Sequence, residues 1–211
     1  MPFSLANVSR KLSGIQDTHQ FKTNAHNLNF NDSHFSNVKY SSSNLTNCRF
    51  KRAKLTGIDF IYTNLKRCDF SNAYLEDIIF FGVNLKYAKF KNTHFKNVYF
   101  INTSLELATD IDLENSGVTR YNKYPEIEIN DSLEDVLYKI MQNDRIYKHG
   151  VLHVNKKKLN MWIIQILLWE FSATELTKYF SKLTINKTKD SNQRFFTYHS
   201  YRKFLNAYFK K

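Results

Sequence analysis

A large apolar residue occupies every fifth position from Phe30 to Leu105, beginning Phe30, Phe35, Tyr40, Leu45, Phe50 and ending Phe95, Phe100, Leu105. Two residues before each stands a smaller one, among them Val38, Cys48, Ala53, Ile58, Cys68, Ala73 and Val83. Sixteen repeats keep this register without a slip. A period of five is neither the 3.6 of a helix nor the 2 of a simple strand. It predicts a solenoid whose coils stack and whose paired inward positions make one continuous core.

The repeat reads small–x–Phe/Leu–x–x, often with Asn or Asp before the large residue, as in Thr63-Asn64-Leu65, Val83-Asn84-Leu85 and Cys68-Asp69-Phe70. In this it resembles the pentapeptide-repeat family. The resemblance implies a right-handed quadrilateral β-helix with four repeats to a coil; sixteen repeats then make about four coils, and the pattern beyond residue 130 predicts a small all-α domain after them. Folding the sequence at twenty residues agrees with that implication. One face stacks Phe30, Phe50, Phe70 and Phe90; the second Phe35, Leu55, Leu75 and Phe95; the third Tyr40, Phe60, Phe80 and Phe100; the fourth Leu45, Leu65, Leu85 and Leu105. Asn44, Asn64 and Asn84 then fall in one outer column, which predicts an asparagine ladder joining the coils.

The flanks divide the chain into a leader or cap over residues 1–25, the β-helix over 26–105, a linker over 106–130 and a helical domain over 131–211. In the leader, Leu5, Val8, Leu12 and Ile15 lie on one face of a short helix that Ser4 would cap and Gly14 would end. Beyond the acidic linker, Leu133, Val136, Leu137, Ile140 and Met141 predict an amphipathic helix with Ser132 as its N-cap. Residues 159–171 are apolar almost all round and too short to span a bilayer, so they read as a central core helix. The three lysines before them, Lys156 to Lys158, keep a membrane-surface role as an alternative. Ser172 and Glu175 form a capping box for a helix over 173–183, and a last helix covers about 193–209.

The chain carries a formal charge of +12, spread along its length. Such a balance favours an acidic partner surface, against the plainer reading of a solvated basic exterior. The third face places Ile61, Phe81 and Ile101 outward with Tyr62, Ile79 and Tyr99 beside them, a candidate protein-contact patch. The occupants weighed for it are the chain's own C-terminal part, a partner protein or a second copy. A candidate basic strip comprises Arg49, Lys51, Arg52, Lys54, Lys89 and Lys91, with Lys66 and Arg67 on the adjoining fourth face. It lacks, on this reading, the exposed aromatics of a single-strand binder, so nucleic acid is set aside as a partner.

Cys48 and Cys68 point inward and read as small core residues, with no disulfide framework or zinc spacing. His34 and His94 lie three coils apart, too far to share a metal. His149 and His153 are separated by Gly150, which argues against a helical metal pair. No phosphate loop, HExxH or nucleophile elbow occurs, and no cofactor is implied. The expectation is a non-catalytic protein-interaction scaffold. A β-helix followed by helices also resembles the front part of bacterial type III secreted effectors, including HECT-like effector ubiquitin ligases, without their catalytic lobe. That resemblance implies a bacterial cytoplasmic protein, with delivery into a host cell without a cleaved signal as the finer expectation. A topoisomerase-protecting pentapeptide protein, which imitates DNA, ranks last because the β-helix is basic.

Overall fold

The computed structural model describes residues 11–185 and 195–209. Six strands stack in parallel in chain order: β1 (Gln16–Phe21), β2 (His34–Ser41), β3 (Lys54–Ile61), β4 (Tyr74–Phe81), β5 (His94–Ile101) and β6 (Val118–Tyr121). Residues twenty apart pair throughout, as in Phe35↔Leu55↔Leu75↔Phe95. Each full-length strand, β2 to β5, runs along the second face and on into the third. The first and fourth faces are held by single bridges, Asn24↔Asn44↔Asn64↔Asn84 and Asn29↔Arg49↔Asp69↔Lys89↔Thr109.

The five-residue period is a right-angle device. Every fifth residue from Asn27 (59°) to Asn102 (46°) has positive φ, and this left-handed residue turns the chain at each of those corners. Asparagine, aspartate and glycine suffer least there, which explains their frequency in that column. The large residues fill the interior as ring ladders: Phe50 and Phe70 stack at 5.0 Å, Phe70 and Phe90 at 5.1 Å, and Phe80 and Phe100 at 4.9 Å. Those distances follow the coil spacing of roughly 4.8 Å. The smaller inward residues satisfy the backbone. The hydroxyls of Thr63 and Thr103 donate to the carbonyls of Tyr40 and Phe80, and the thiols of Cys48 and Cys68 to those of Ala25 and Leu45.

Three expectations change. Residues 12–15 are not helical; Leu12 and Ile15 pack on the solenoid core and β1 follows, so the coils begin before residue 26. The rest of the expected helix, including Leu5, Val8 and Ser4, lies outside the described residues. At the other end β6 continues the ladder inside the segment expected to be linker. The asparagine column is a ladder only at its first step, where Asn44 donates to Asn24 at 3.1 Å. Asn64 and Asn84 instead accept from the backbone N–H of Lys66 and Lys86 in their own turns. Side-chain links between coils lie in the corner column, Asn37 to Asp17 at 2.8 Å and Asn97 to Asp77 at 3.0 Å.

The second compact unit spans Lys123–Lys211. It holds α1 (Asp131–Ile140), α2 (Asp144–Tyr147), a hairpin of β7 (His153–Asn155) and β8 (Lys158–Leu159), then α3 (Met161–Glu170), α4 (Ala173–Ile185) and α5 (Tyr198–Phe209). Asn130, not Ser132, caps α1 by accepting from the N–H of Leu133. The capping box at Ser172 and Glu175 forms as expected. Trp162, Ile163, Ile164, Ile166 and Leu167 of α3 are buried, which makes it the unit's core helix. Glu170 at its end accepts from the Tyr198 hydroxyl and from Arg202, both at 2.7 Å, tying α5 to α3. Among the described residues no helix is long and apolar enough to cross a membrane.

Candidate functional site

Of the expected apolar contact patch, Ile79, Tyr99 and Ile101 are buried, Ile61 and Phe81 are half-buried, and only Tyr62 is well exposed. The Tyr62 ring meets Phe81 edge-on at 5.3 Å and lies where a side chain on Gly82 would stand. The cysteines are core residues. Burial pushes the Cys48 thiol up to about 12 and raises that of Cys68 well above its ordinary range, so neither supplies a thiolate. His153 stacks on Tyr147 and His149 meets Phe196 edge-on. No cluster of metal-ligating side chains occurs among the described residues.

The basic strip divides into paired and unpaired cations. Arg52 grips Asp32 through two bonds, at 2.7 and 3.0 Å, and Lys11 reaches the same carboxylate. Hydrogen bonds from Arg52 and Lys11 hold Asp32 at about 2. Lys51 pairs with Asp69 at 3.1 Å; burial pushes that carboxyl up, but hydrogen bonds from Ser71 and Lys51 leave it below its usual range. Lys54 sits 5.9 Å over the Tyr74 ring, which stacks on His94 at 4.6 Å. Among the described residues Lys66, Arg67, Lys86, Lys89 and Lys91 have no carboxylate partner.

The unpaired cations gather at the corner between the fourth and first faces, around a residue the sequence reading passed over. Tyr87 is 44% exposed, with the Arg67 guanidinium 5.9 Å and the Lys86 ammonium 5.4 Å from its ring centre. Lys66 and Arg67 lie one coil before Lys86 and Tyr87, and Lys89 follows on the first face. The centre of positive charge is therefore this corner, not the one between the first and second faces. The aromatics said to be missing are present, Tyr87 at one edge of the first face and Tyr74 with His94 at the other. The signal in the sequence was a tyrosine in a corner column otherwise rich in asparagine.

Residues 43–80 and 78–109 match the family model of pentapeptide repeats in eight copies. Among solved structures the chain is similar to HetL, a pentapeptide repeat protein involved in heterocyst differentiation regulation from the cyanobacterium Nostoc, at 22% identity and TM-score 0.42, over 44% of this chain and 39% of that one. It is also similar to a pentapeptide repeat protein of the Arabidopsis thaliana thylakoid lumen, at 20% identity and TM-score 0.41, over 56% of this chain and 75% of that one. A third match is QnrB1, a plasmid-mediated fluoroquinolone resistance protein, at 16% identity and TM-score 0.18, over 52% of this chain and 82% of that one. No curated protein matches the sequence. The expectation that sets nucleic acid aside does not stand, because its physical ground, an absence of exposed rings among the cations, is gone.

Proposed function

We propose that this chain, whose residues 43–109 are pentapeptide repeats, is a non-catalytic scaffold that binds nucleic acid on the corner between its fourth and first faces. The observation that carries the reading is the cluster of Lys66, Arg67, Lys86 and Lys89 around the exposed Tyr87 ring. Cations without carboxylate partners are free to neutralise phosphates and release counterions. The parallel coils hold them at fixed spacing of roughly 4.8 Å, so little order is lost on binding.

Anisotropy titration of labelled oligonucleotides with the full chain tests this. Binding should weaken steeply with salt, and a Lys66→Glu/Lys86→Glu/Lys89→Glu variant should lose it. Absence of binding at low salt, or an unaffected triple variant, removes the proposal.

A topoisomerase-directed role is the second reading, and the cationic corner favours a form of it that grips DNA instead of imitating it. Inhibition of gyrase supercoiling by the purified chain, lost in the same triple variant, is its measurement. The finer expectation of a type III secreted effector related to HECT-like ligases draws no support from the comparisons, and the two buried thiols do not suit a ligase.

A further inference from the structure

Sixteen corners from residue 27 to residue 102 hold a left-handed backbone. Seven are Asn, two Asp, two Gly and one Ser, all suited to it; the other four are Arg52, Tyr62, Arg67 and Tyr87. Two of the four have local explanations: Arg52 is bound to Asp32, and Tyr62 lies over Gly82. Arg67 and Tyr87 stand in one column on consecutive coils, and their contact with each other does not account for two unfavourable turns. A bulky residue held at positive φ is a place to look for function.

The surroundings point the same way. The column continues into Leu107, which is 43% exposed, so guanidinium, ring and apolar side chain follow one another up the corner. The coil is irregular here: the N–H of Tyr87 donates to the carbonyl of Leu107, where the equivalent Arg67 donates to that of Lys86, nineteen residues on. Beside this bulge lies a depression of about 170 Å³ lined by Asn84, Lys86, Ser104, Glu106 and Leu107, which offers an amide, a hydroxyl and a carboxylate.

Resting on the nucleic-acid reading, we propose that Arg67, Tyr87 and Leu107 form a stacking platform for unpaired nucleotides. A duplex hides the faces of its bases, so an exposed ring gains nothing from it. A single strand can lay a base on the ring or on the guanidinium, and such stacking tolerates any sequence. Lys66, Lys86 and Lys89 then neutralise the flanking phosphates, while the depression receives the polar edge of a splayed base.

The test compares three probes against the full chain: a twenty-nucleotide oligothymidylate, a duplex of the same length and inorganic polyphosphate, which has charge but no bases. The single strand should bind at least tenfold more tightly than the duplex. Tyr87→Ala should weaken the single strand roughly five- to hundredfold and leave polyphosphate unchanged, and Tyr87→Phe should restore single-strand binding. Equal or tighter duplex binding overturns the platform, as does a Tyr87→Ala loss that is the same for polyphosphate or is not rescued by phenylalanine. If none of the three probes binds, the nucleic-acid reading itself falls; if duplex and polyphosphate bind without a single-strand preference, only the platform does.

Discussion

The corner residue sets the local rules of this molecule, because each repeat asks one side chain to sit at positive φ. Asn47 isolates that demand. It is exposed, its φ is 57°, and its side chain forms no hydrogen bond. Asn47→Val should lower stability by about 1–2 kcal/mol in urea unfolding, and Asn47→Gly by no more than a few tenths. Equal effects of the two would show that the backbone is not the limiting term. Titration acts at residues of the third face. His19 is lowered to about 4 by burial and by neighbouring Lys39, with which it pairs across β1 and β2. The unfolded chain takes up that proton near pH 6.5, so between pH 6.5 and 4 it binds more protons than the folded one. Stability contributed here is complete above pH 6.5 and is lost as the pH falls toward 4. His19→Gln should flatten that part of the stability profile, and an unchanged slope would assign it elsewhere. Lys39 has the same sign in another window. Burial lowers it to about 8, against the attraction of Asp59, so stability should rise with pH between about 8 and 10.5.

At the scale of the element, each coil depends on its neighbours, and the ring ladder transmits that dependence. Phe70 is fully buried between Phe50 and Phe90, whereas Phe30, nearer the end, retains some exposure. Phe70→Ala should cost about 3–5 kcal/mol, measured by denaturant unfolding, and Phe30→Ala distinctly less. Phe70→Leu should cost far less than Phe70→Ala, since leucine already fills the equivalent positions 45, 65 and 85. A larger loss at Phe30 than at Phe70 would contradict the stacked-core account. The sixteen repeats were readable because their large inward residues are Phe, Tyr and Leu without exception. The same geometry passed unread in β1, where Thr18 and Gln20 stand in register with Val38 and Tyr40, and in β6, where an exposed Arg120 stands in register with Phe100. At the ends of a solenoid no next coil rewards an apolar side chain, so the apolar pattern fades before the ladder does. The β7–β8 hairpin was missed for a related reason: its turn is Asn-Lys-Lys-Lys, with no glycine to mark it. In α1 a serine in capping spacing concealed Asn130, which does the capping. Tyr87 was hidden by the arithmetic of the repeat itself, which assigns meaning to two positions in five and leaves the corner column as filler.

At the scale of the whole molecule, charge is sorted by face. From residue 43 to residue 92 the fourth and first faces carry Arg49, Lys51, Arg52, Lys66, Arg67, Lys86, Lys89 and Lys91 against the single carboxylate of Asp69. Carboxylates return together at Glu106, Asp110, Asp112 and Glu114, so the basic field ends abruptly near Leu107. A second basic group, Lys156 to Lys158, belongs to the hairpin of the other unit. Net charge alone would let either group bind a polyanion, but the two make different forecasts for salt. If the corner is the site, each lysine removed there takes away one counterion-releasing contact, and the slope of log K against log salt falls by about 0.7 per lysine for a single strand. Neutralising Lys66, Lys86 and Lys89 to Gln should therefore reduce the slope by about 2. Neutralising Lys156, Lys157 and Lys158 should leave the slope in place, because lysines that make no phosphate contact release no counterions on binding. Oligonucleotide titrations at four salt concentrations with both triple variants decide it. A slope that responds to the hairpin lysines and ignores the corner would move the interface to the helical unit and leave the corner a solvated basic face.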